Sequence, residues 1–90
     1  MTPEAKIKKG ICTYLRSLGA YVFCPVQRGL GSSALDILVC HQGRFYGIEV
    51  KVPGKKPTPR QAIVMEQINV AGGRAVLACS ADEVYELVSR

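Results

Sequence analysis

Two short apolar segments joined by a tight turn most constrain the fold of this 90-residue chain. Residues 34–40 (ALDILVC) and 44–51 (RFYGIEVK) have the composition of strands, and the Gln42-Gly43 step between them is typical of a two-residue hairpin loop. In such a loop His41 faces Arg44, and paired residue numbers add up to 85 along both strands. The sequence therefore predicts an antiparallel hairpin whose register is set by the turn.

This register brings charged side chains together on one face of the hairpin. Asp36 lies opposite Glu49, and Lys51 lies one diagonal step from Asp36 on the same face. Two carboxylates held that close in a covered site repel each other unless a cation lies between them, and Mg²⁺ suits such a site. The alternative is the solvated side of an edge hairpin, with Glu49 and Lys51 as ordinary surface residues. The opposite face is expected to be apolar, with Leu35, Ile37 and Val39 against Tyr46, Ile48 and Val50.

Two further polar residues can be interpreted in two ways. Glu4 continues the apolar stripe of a first helix through Ile7 and Ile11, but an acid at a helix start also favours the helix dipole. Gln61 can close a capping box with Thr58, or it can point towards the sheet from a second helix. Both residues are thus candidates for a site near Asp36 and Glu49.

The remaining segments predict an α/β domain with the element order αβββαβα. Thr2-Pro3 and Thr58-Pro59 predict the starts of two helices, with the threonines as N-caps. A third helix is expected after Ser80, where Ser80 to Glu83 repeats the capping-box pattern. The first helix ends at Gly19, the second runs to Gly72-Gly73, the other strands are residues 20–25 and 74–79, and residues 26–33 form a glycine-rich loop.

Composition indicates the class of partner and compartment. A net charge of +5 favours binding of a polyanion such as nucleic acid, although a basic surface can also occur without such a partner.

The four cysteines form no CxxC pair, which favours buried free thiols in a reducing, cytoplasmic setting over a zinc site. No apolar run is long enough to span a membrane and no signal peptide opens the chain. We expect one domain over residues 1–90.

The ordered set of motifs resembles the PD-(D/E)XK nuclease superfamily and, within it, the small stand-alone VRR-NUC nucleases. The set comprises Glu4 on the first helix, Gly31-x-x-x-x-Asp36, Glu49-Val50-Lys51, Gln61 at the start of the second helix, and Ala71-Gly72-Gly73-Arg74. The resemblance implies a restriction-endonuclease-like core, with helices on a central mixed sheet. It also implies Mg²⁺- or Mn²⁺-dependent cleavage of phosphodiester bonds.

The resemblance also assigns roles to individual residues. Asp36 and Glu49 would bind the metal with the Val50 carbonyl, and Glu4 would be a further acidic residue of the site, with any metal contact made through water. Lys51 would orient or help activate the attacking water and stabilise charge on the phosphate, and Gln61 would position water or phosphate. The candidate contacts to the DNA backbone are Lys8, Lys9, Arg28, Lys55, Lys56 and Arg60.

Branched DNA is the substrate that the resemblance suggests, four-way (Holliday) junctions above all. Small stand-alone members of the family are associated with such junctions and with homodimers, since a dimer presents two sites to two strands. Nucleoid-associated activity, or the host cytoplasm for a viral protein, fits such a substrate. Two alternatives remain open: a non-catalytic nucleic-acid-binding module on the same fold, and a structural domain whose acids pair with nearby lysines.

Overall fold

The computed structural model describes residues 1–26 and 34–89, which form a four-stranded mixed sheet with helices on both faces. Strand order follows chain order: β1–β2 and β2–β3 are antiparallel and β3–β4 is parallel. This confirms the predicted fold class and element order. The elements are α1 (Pro3–Ser17), β1 (Tyr21–Phe23), β2 (Ile37–His41), β3 (Arg44–Val50), α2 (Pro59–Val70), β4 (Arg74–Ala78) and α3 (Ala81–Val88).

The hairpin register predicted from the Gln42-Gly43 turn is confirmed. His41 pairs with Arg44, and the pairing continues without slippage to Ile37 opposite Ile48. Both turn residues have positive φ, 51° at Gln42 and 78° at Gly43, as the tight turn of a two-residue hairpin requires. The turn therefore determines which side chains of β2 and β3 share a face.

The main apolar core lies on the face of the sheet that carries α1 and α3. Side chains at alternate positions of β2 and β3 point to this face and are almost completely buried. Since α1 and α3 also pack against each other, they close this side of the sheet. The buried cluster includes Ile11, Cys12, Leu15, Ile37, Val39, Tyr46, Ile48, Val50, Ala78, Val84, Leu87 and Val88.

The other face is covered over only part of its width. Helix α2 packs on β3 and β4, and its Ile68 side chain lies close to Gly47. A Cβ added to Gly47 would come within 2.5 Å of Ile68 Cδ1 and 3.0 Å of Leu35 Cδ1, so glycine permits this close approach of helix to strand. Leu35 is therefore buried on the α2 side, and the expectation that it shares a face with Ile37 is wrong.

The misplacement of Leu35 has a structural cause. The sequence predicts a strand over residues 34–40, but β2 begins only at Ile37 and Asp36 lies in a bend. Strand alternation stops at that bend, because Asp36 contacts β3 through its side chain: the Val50 N–H donates to Asp36 Oδ2 at 2.8 Å. A contact between residues so far apart in the sequence cannot be inferred from the local pattern of apolar residues.

All three predicted helix starts are confirmed in position, but the capping box expected at the third is absent. Thr2 and Thr58 are N-caps, and Thr58 forms the full capping box with Gln61. Ser80 is the N-cap residue of α3 but makes no side-chain capping bond, and Glu83 Oε2 instead accepts from the Cys79 N–H at 2.8 Å. Among the described helices, none is long and apolar enough to cross a membrane.

Candidate active site

A hydrogen bond from the backbone holds the Asp36 side chain at the end of the hairpin. Asp36 directly precedes β2, is half-buried, and accepts the Val50 N–H where the ladder of β2 and β3 has already ended. This hydrogen bond fixes the carboxylate beside Glu49, which lies next to Val50 on the α2 side of the sheet. The structure thus brings together the two carboxylates that the register predicts to face each other.

Glu49 is the one charged side chain among the described residues that is buried, with 3% of its surface exposed. Its Oε2 accepts from Gln61 Nε2 at 2.8 Å, whereas its Oε1 is buried without a hydrogen-bond partner. A buried carboxylate oxygen without a partner costs free energy comparable to a lost hydrogen bond or more. The described residues therefore leave one oxygen of Glu49 unsatisfied, and the interpretation of Glu49 as a solvated surface residue is wrong.

The environment of Glu49 opposes its ionisation. Burial, the charge of Asp36 and the hydrogen bond that protonated Glu49 can make with the Asp36 side chain together raise the pKa of Glu49 from 4.5 to about 7. The positive charge of Lys51 and a backbone hydrogen bond at Asp36 act against this shift. At neutral pH the pair is thus poised between sharing a proton and taking up a cation.

Gln61 combines both of the roles that the sequence left open. Its backbone N–H donates to Thr58 Oγ1 at 3.2 Å, and its Oε1 accepts from the Thr58 N–H at 2.9 Å. The other end of the same amide, Nε2, donates to Glu49. The capping box therefore fixes the side-chain orientation that holds the Glu49 carboxylate.

Lys51 and Val50 complete the group at the end of β3. Lys51 Nζ lies 4.0 Å from Glu49 Oε2, and the Lys51 side chain is 14% exposed. Its backbone N–H donates to the Ala78 carbonyl at 3.1 Å, which extends the pairing of β3 with β4 by one residue. The ammonium is thus held at the mouth of the site, between the buried carboxylate and solvent.

Glu4 lies in the first turn of α1 and is half-buried. Within residues 1–26 and 34–89, no group of three or more acidic, histidine or cysteine side chains is arranged to hold a metal ion. The structure therefore brings together Asp36, Glu49, Lys51 and Gln61, and it does not join Glu4 to the two carboxylates as a third ligand.

Asp36 and Glu49 nevertheless fit a hard divalent cation. Mg²⁺ is commonly bound by one or two carboxylates, with water and substrate oxygens filling its other positions. The Glu49 Oε1 atom, which has no hydrogen-bond partner, could bind the cation, and the positive charge would offset the burial and the Asp36 charge that raise the Glu49 pKa.

The candidate DNA contacts are distributed over three segments. Lys8 and Lys9 lie on α1, where Lys9 is exposed. Lys55 and Lys56 are exposed on the connection that follows the site, and Arg60 is exposed in the first turn of α2. Arg28, together with Gly31, lies outside the described residues. Three of the cations thus lie between Lys51 and Gln61 along the chain.

Sequence analysis missed an apolar surface on the α2 side of the sheet, which we call the open sheet face. It consists of Tyr21, Phe23, Leu38 and Phe45, which line one shallow depression that α2 leaves uncovered. Tyr21 is 71% exposed, Phe23 52% and Phe45 44%. Exposed and half-buried residues alternate in β1, but its sequence YVF is apolar or aromatic at all three positions. The sequence therefore does not indicate which side of β1 is exposed.

Comparison with known proteins finds a solved structure of the same fold. A solved structure described as a "VRR_NUC domain" matches with a TM-score of 0.83 and 27% sequence identity, over 100% of this chain and 98% of that one. No family profile and no curated protein matches the chain. The similarity extends over every element described above, and it indicates a nuclease-type domain, which implies DNA binding.

The raised pKa of Glu49 predicts that a charge-removing substitution stabilises the metal-free protein at alkaline pH. Between pH 4.5 and about 7 the folded state keeps a proton that the unfolded chain releases, so the free energy of unfolding falls as pH rises through this window. In EDTA at about pH 8, Glu49→Gln should therefore be more stable than the wild type by about 1–3 kcal/mol. Urea unfolding measures this difference, which should narrow as the pH is lowered towards 4.5.

The matched control is Glu66→Gln, which removes the same charge from an exposed position of α2. Its free energy of unfolding should follow that of the wild type at every pH. A Glu49→Gln protein less stable than the wild type at alkaline pH would contradict the proposed repulsion, as would a difference that does not vary with pH.

Proposed function

We propose that this chain, which is similar over its full length to a VRR_NUC domain, is a metal-dependent endonuclease that hydrolyses phosphodiester bonds in branched DNA. The observation that supports this best is the buried Glu49 beside Asp36, with one oxygen lacking a partner and an ammonium 4.0 Å from the other. A structural salt bridge would not need a second carboxylate in the same pocket. The sheet and its helices support the proposal that residues 1–90 act as one nuclease domain.

Asp36 and Glu49 would hold the cation, with the Val50 carbonyl as an additional ligand and Glu4 contributing through water. Bound Mg²⁺ or Mn²⁺ supplies Lewis-acid polarisation of the scissile phosphate and lowers the pKa of a coordinated water. The chain's residues do the positioning: Val50 N–H fixes Asp36, and Gln61 fixes Glu49. Neither carboxylate then has to reorient when a substrate arrives.

Lys51 would act on the reacting phosphate itself. A water adds to phosphorus and the bond to the leaving oxygen breaks, so negative charge accumulates on the phosphate oxygens. The Lys51 ammonium, held at the mouth of the site, stabilises that charge and orients the water. Gln61 is close enough to Glu49 to help position water or phosphate from the α2 side.

Exposed basic residues would bind the DNA backbone beside the site. Lys55, Lys56 and Arg60 lie between Lys51 and Gln61 in the chain, and Lys8, Lys9 and Arg28 would extend the contact. Such contacts carry affinity and salt dependence without sequence preference. Backbone contacts of this kind suit recognition of DNA shape. The protein would act in the cytoplasm at the nucleoid, or in the host cytoplasm if it is viral.

The proposed homodimer would use the open sheet face, with a second copy of the chain as the occupant. Exposed aromatic side chains clustered on one surface are typical of interface cores. Strand β1 is also an edge of the sheet, so among the described residues one side of its backbone pairs with no other strand. Two copies joined there would carry two sites, one for each of two strands at a four-way junction.

Cleavage of labelled DNA tests the activity and the site together. With Mg²⁺ or Mn²⁺ the wild type should cut a four-way junction faster than linear duplex of the same length, and EDTA should stop the reaction. Asp36→Asn should lower the rate at least about 100-fold, because it removes a charge needed at the metal and phosphate. Glu66→Gln, on the surface of α2, should cut like the wild type.

Binding without any metal-dependent cutting would favour the non-catalytic binding module. Cutting that survives Asp36→Asn would show that the site is elsewhere. Equal rates of cutting for junction and linear duplex would contradict the preference for branched DNA but not the nuclease activity.

The basic residues predict a specific change in salt dependence. Lys55→Ala/Lys56→Ala should weaken binding to every duplex equally and reduce the slope of log affinity against log salt by about 0.9 for each lost phosphate contact. Arg74→Ala is the control, since Arg74 pairs with Tyr46 towards the opposite end of β3 from Glu49. Fluorescence anisotropy over a salt series measures both slopes, and an equal effect of the two variants would contradict this assignment.

The dimer proposal predicts a concentration-dependent mass. In sedimentation experiments the wild type should form dimers, whereas Tyr21→Ser/Phe23→Ser should remain monomeric because it makes the open sheet face polar. Val70→Ser removes an apolar side chain that is 78% exposed on α2 and should leave the dimer intact. A wild type that stays monomeric at all concentrations would refute the dimer, and dimers in the double variant would refute the chosen surface.

A further inference from the structure

Two cysteines lie in contact away from the acidic site. Cys12 lies on α1 and Cys24 directly follows β1, and their Sγ atoms are 3.3 Å apart. Packing of α1 against β1 holds the two segments next to each other. The other two cysteines, Cys40 and Cys79, lie on β2 and after β4, and all four are free thiols. The contact between Cys12 and Cys24 has no part in the proposed hydrolysis.

We propose that Cys12 and Cys24 form a redox-active dithiol that glutathione disulfide, or another low-molecular-weight disulfide, converts reversibly to an intramolecular disulfide. A disulfide has a sulfur–sulfur distance of about 2.05 Å, so the two sulfurs need to approach by only about 1.2 Å. Side-chain rotation and small backbone shifts can supply such a movement without moving α1 away from the sheet. In a reducing compartment, disulfides of this kind are transient and serve to sense oxidants.

Accessibility determines the order of the exchange steps. Cys24 is half-buried, whereas Cys12 is 5% exposed. The Cys24 thiolate attacks one sulfur of glutathione disulfide, which forms a mixed disulfide and releases one glutathione thiolate. Cys12 then loses its proton and attacks the Cys24 sulfur, which releases the second glutathione. The two thiols are oxidised, and one glutathione disulfide is reduced to two glutathione molecules.

The environment of Cys12 fits the role of the second, resolving thiol. Burial, the hydrogen bond with Cys24 and the charge of Cys24 together raise the pKa of Cys12 to about 11. Arg16 and Lys8 partly oppose the shift. Since the thiolate is the nucleophile, Cys12 is protected from external oxidants until the mixed disulfide is held beside it.

The disulfide would join α1 to the chain segment that leads from β1 towards Asp36. Cross-linking restricts the unfolded chain, so the oxidised protein should melt at a temperature roughly 5–15 °C above that of the reduced protein. This stabilisation does not depend on cleavage activity. Formation of the disulfide can therefore be tested independently of the nuclease activity.

The test uses the full chain with Cys40→Ser/Cys79→Ser, so that Cys12 and Cys24 are the only thiols. The protein is incubated in glutathione buffers of increasing oxidised fraction and alkylated, and its intact mass is measured. Trypsin cuts after Arg16, between the two cysteines, so a disulfide links peptides 10–16 and 17–28. We expect the linked peptides, a loss of two hydrogens from the intact mass, and the higher melting temperature, all reversed by dithiothreitol.

Two single variants distinguish the steps. Cys12→Ala should stop at a glutathione adduct on Cys24, and Cys24→Ser should leave Cys12 reduced and unmodified. Two free thiols in excess glutathione disulfide would overturn the proposal, as would a glutathione adduct on Cys24 that persists while Cys12 is present. Disulfide-linked dimers as the only oxidised product would overturn it as well.

Discussion

The close approach of the Asp36 and Glu49 carboxylates is the constraint on which the candidate site depends. Both groups are fixed by hydrogen bonds from the chain, one from the Val50 backbone and one from the Gln61 side chain. These bonds hold the carboxylates close to each other although burial and like charge disfavour two negative groups there. The metal-free fold thus carries an unfavourable feature that a bound cation would convert into a favourable one.

Helix α2 connects the stability of the fold to the geometry of this pair. Its first turn contains the capping box, and the same glutamine amide that closes the box holds Glu49. Its later turns approach β3 closely at Gly47, where a larger residue would collide with Ile68 and Leu35. Because α2 packs on β3 and β4, it leaves the open sheet face uncovered.

Local turn and capping chemistry made much of the fold predictable from sequence. The Gln42-Gly43 turn fixes the hairpin register, and two threonines followed by proline mark two helix starts. The prediction failed where a contact distant in sequence replaces a local rule. Asp36 is held by Val50, so β2 starts late and Leu35 turns to the other face.

Within the site, the sequence predicted the proximity of Asp36, Glu49, Lys51 and Gln61, but not the two simultaneous bonds of the glutamine amide. The open sheet face and the contact of Cys12 with Cys24 also escaped prediction. Each depends on how a helix lies across the sheet, and no short-range pattern of residues determines that placement.

Carboxyl NMR of the isotopically labelled protein measures the ionisation of Glu49 directly. In the metal-free protein the Glu49 signal should titrate with a midpoint of about 7, above the 4.5 of an ordinary glutamate. Saturating Mg²⁺ should lower that midpoint, because a cation between the carboxylates favours the charged form. A midpoint near 4.5 without metal would show that the site does not oppose the ionisation of Glu49. A midpoint that Mg²⁺ leaves unchanged would show that no cation binds between the two carboxylates.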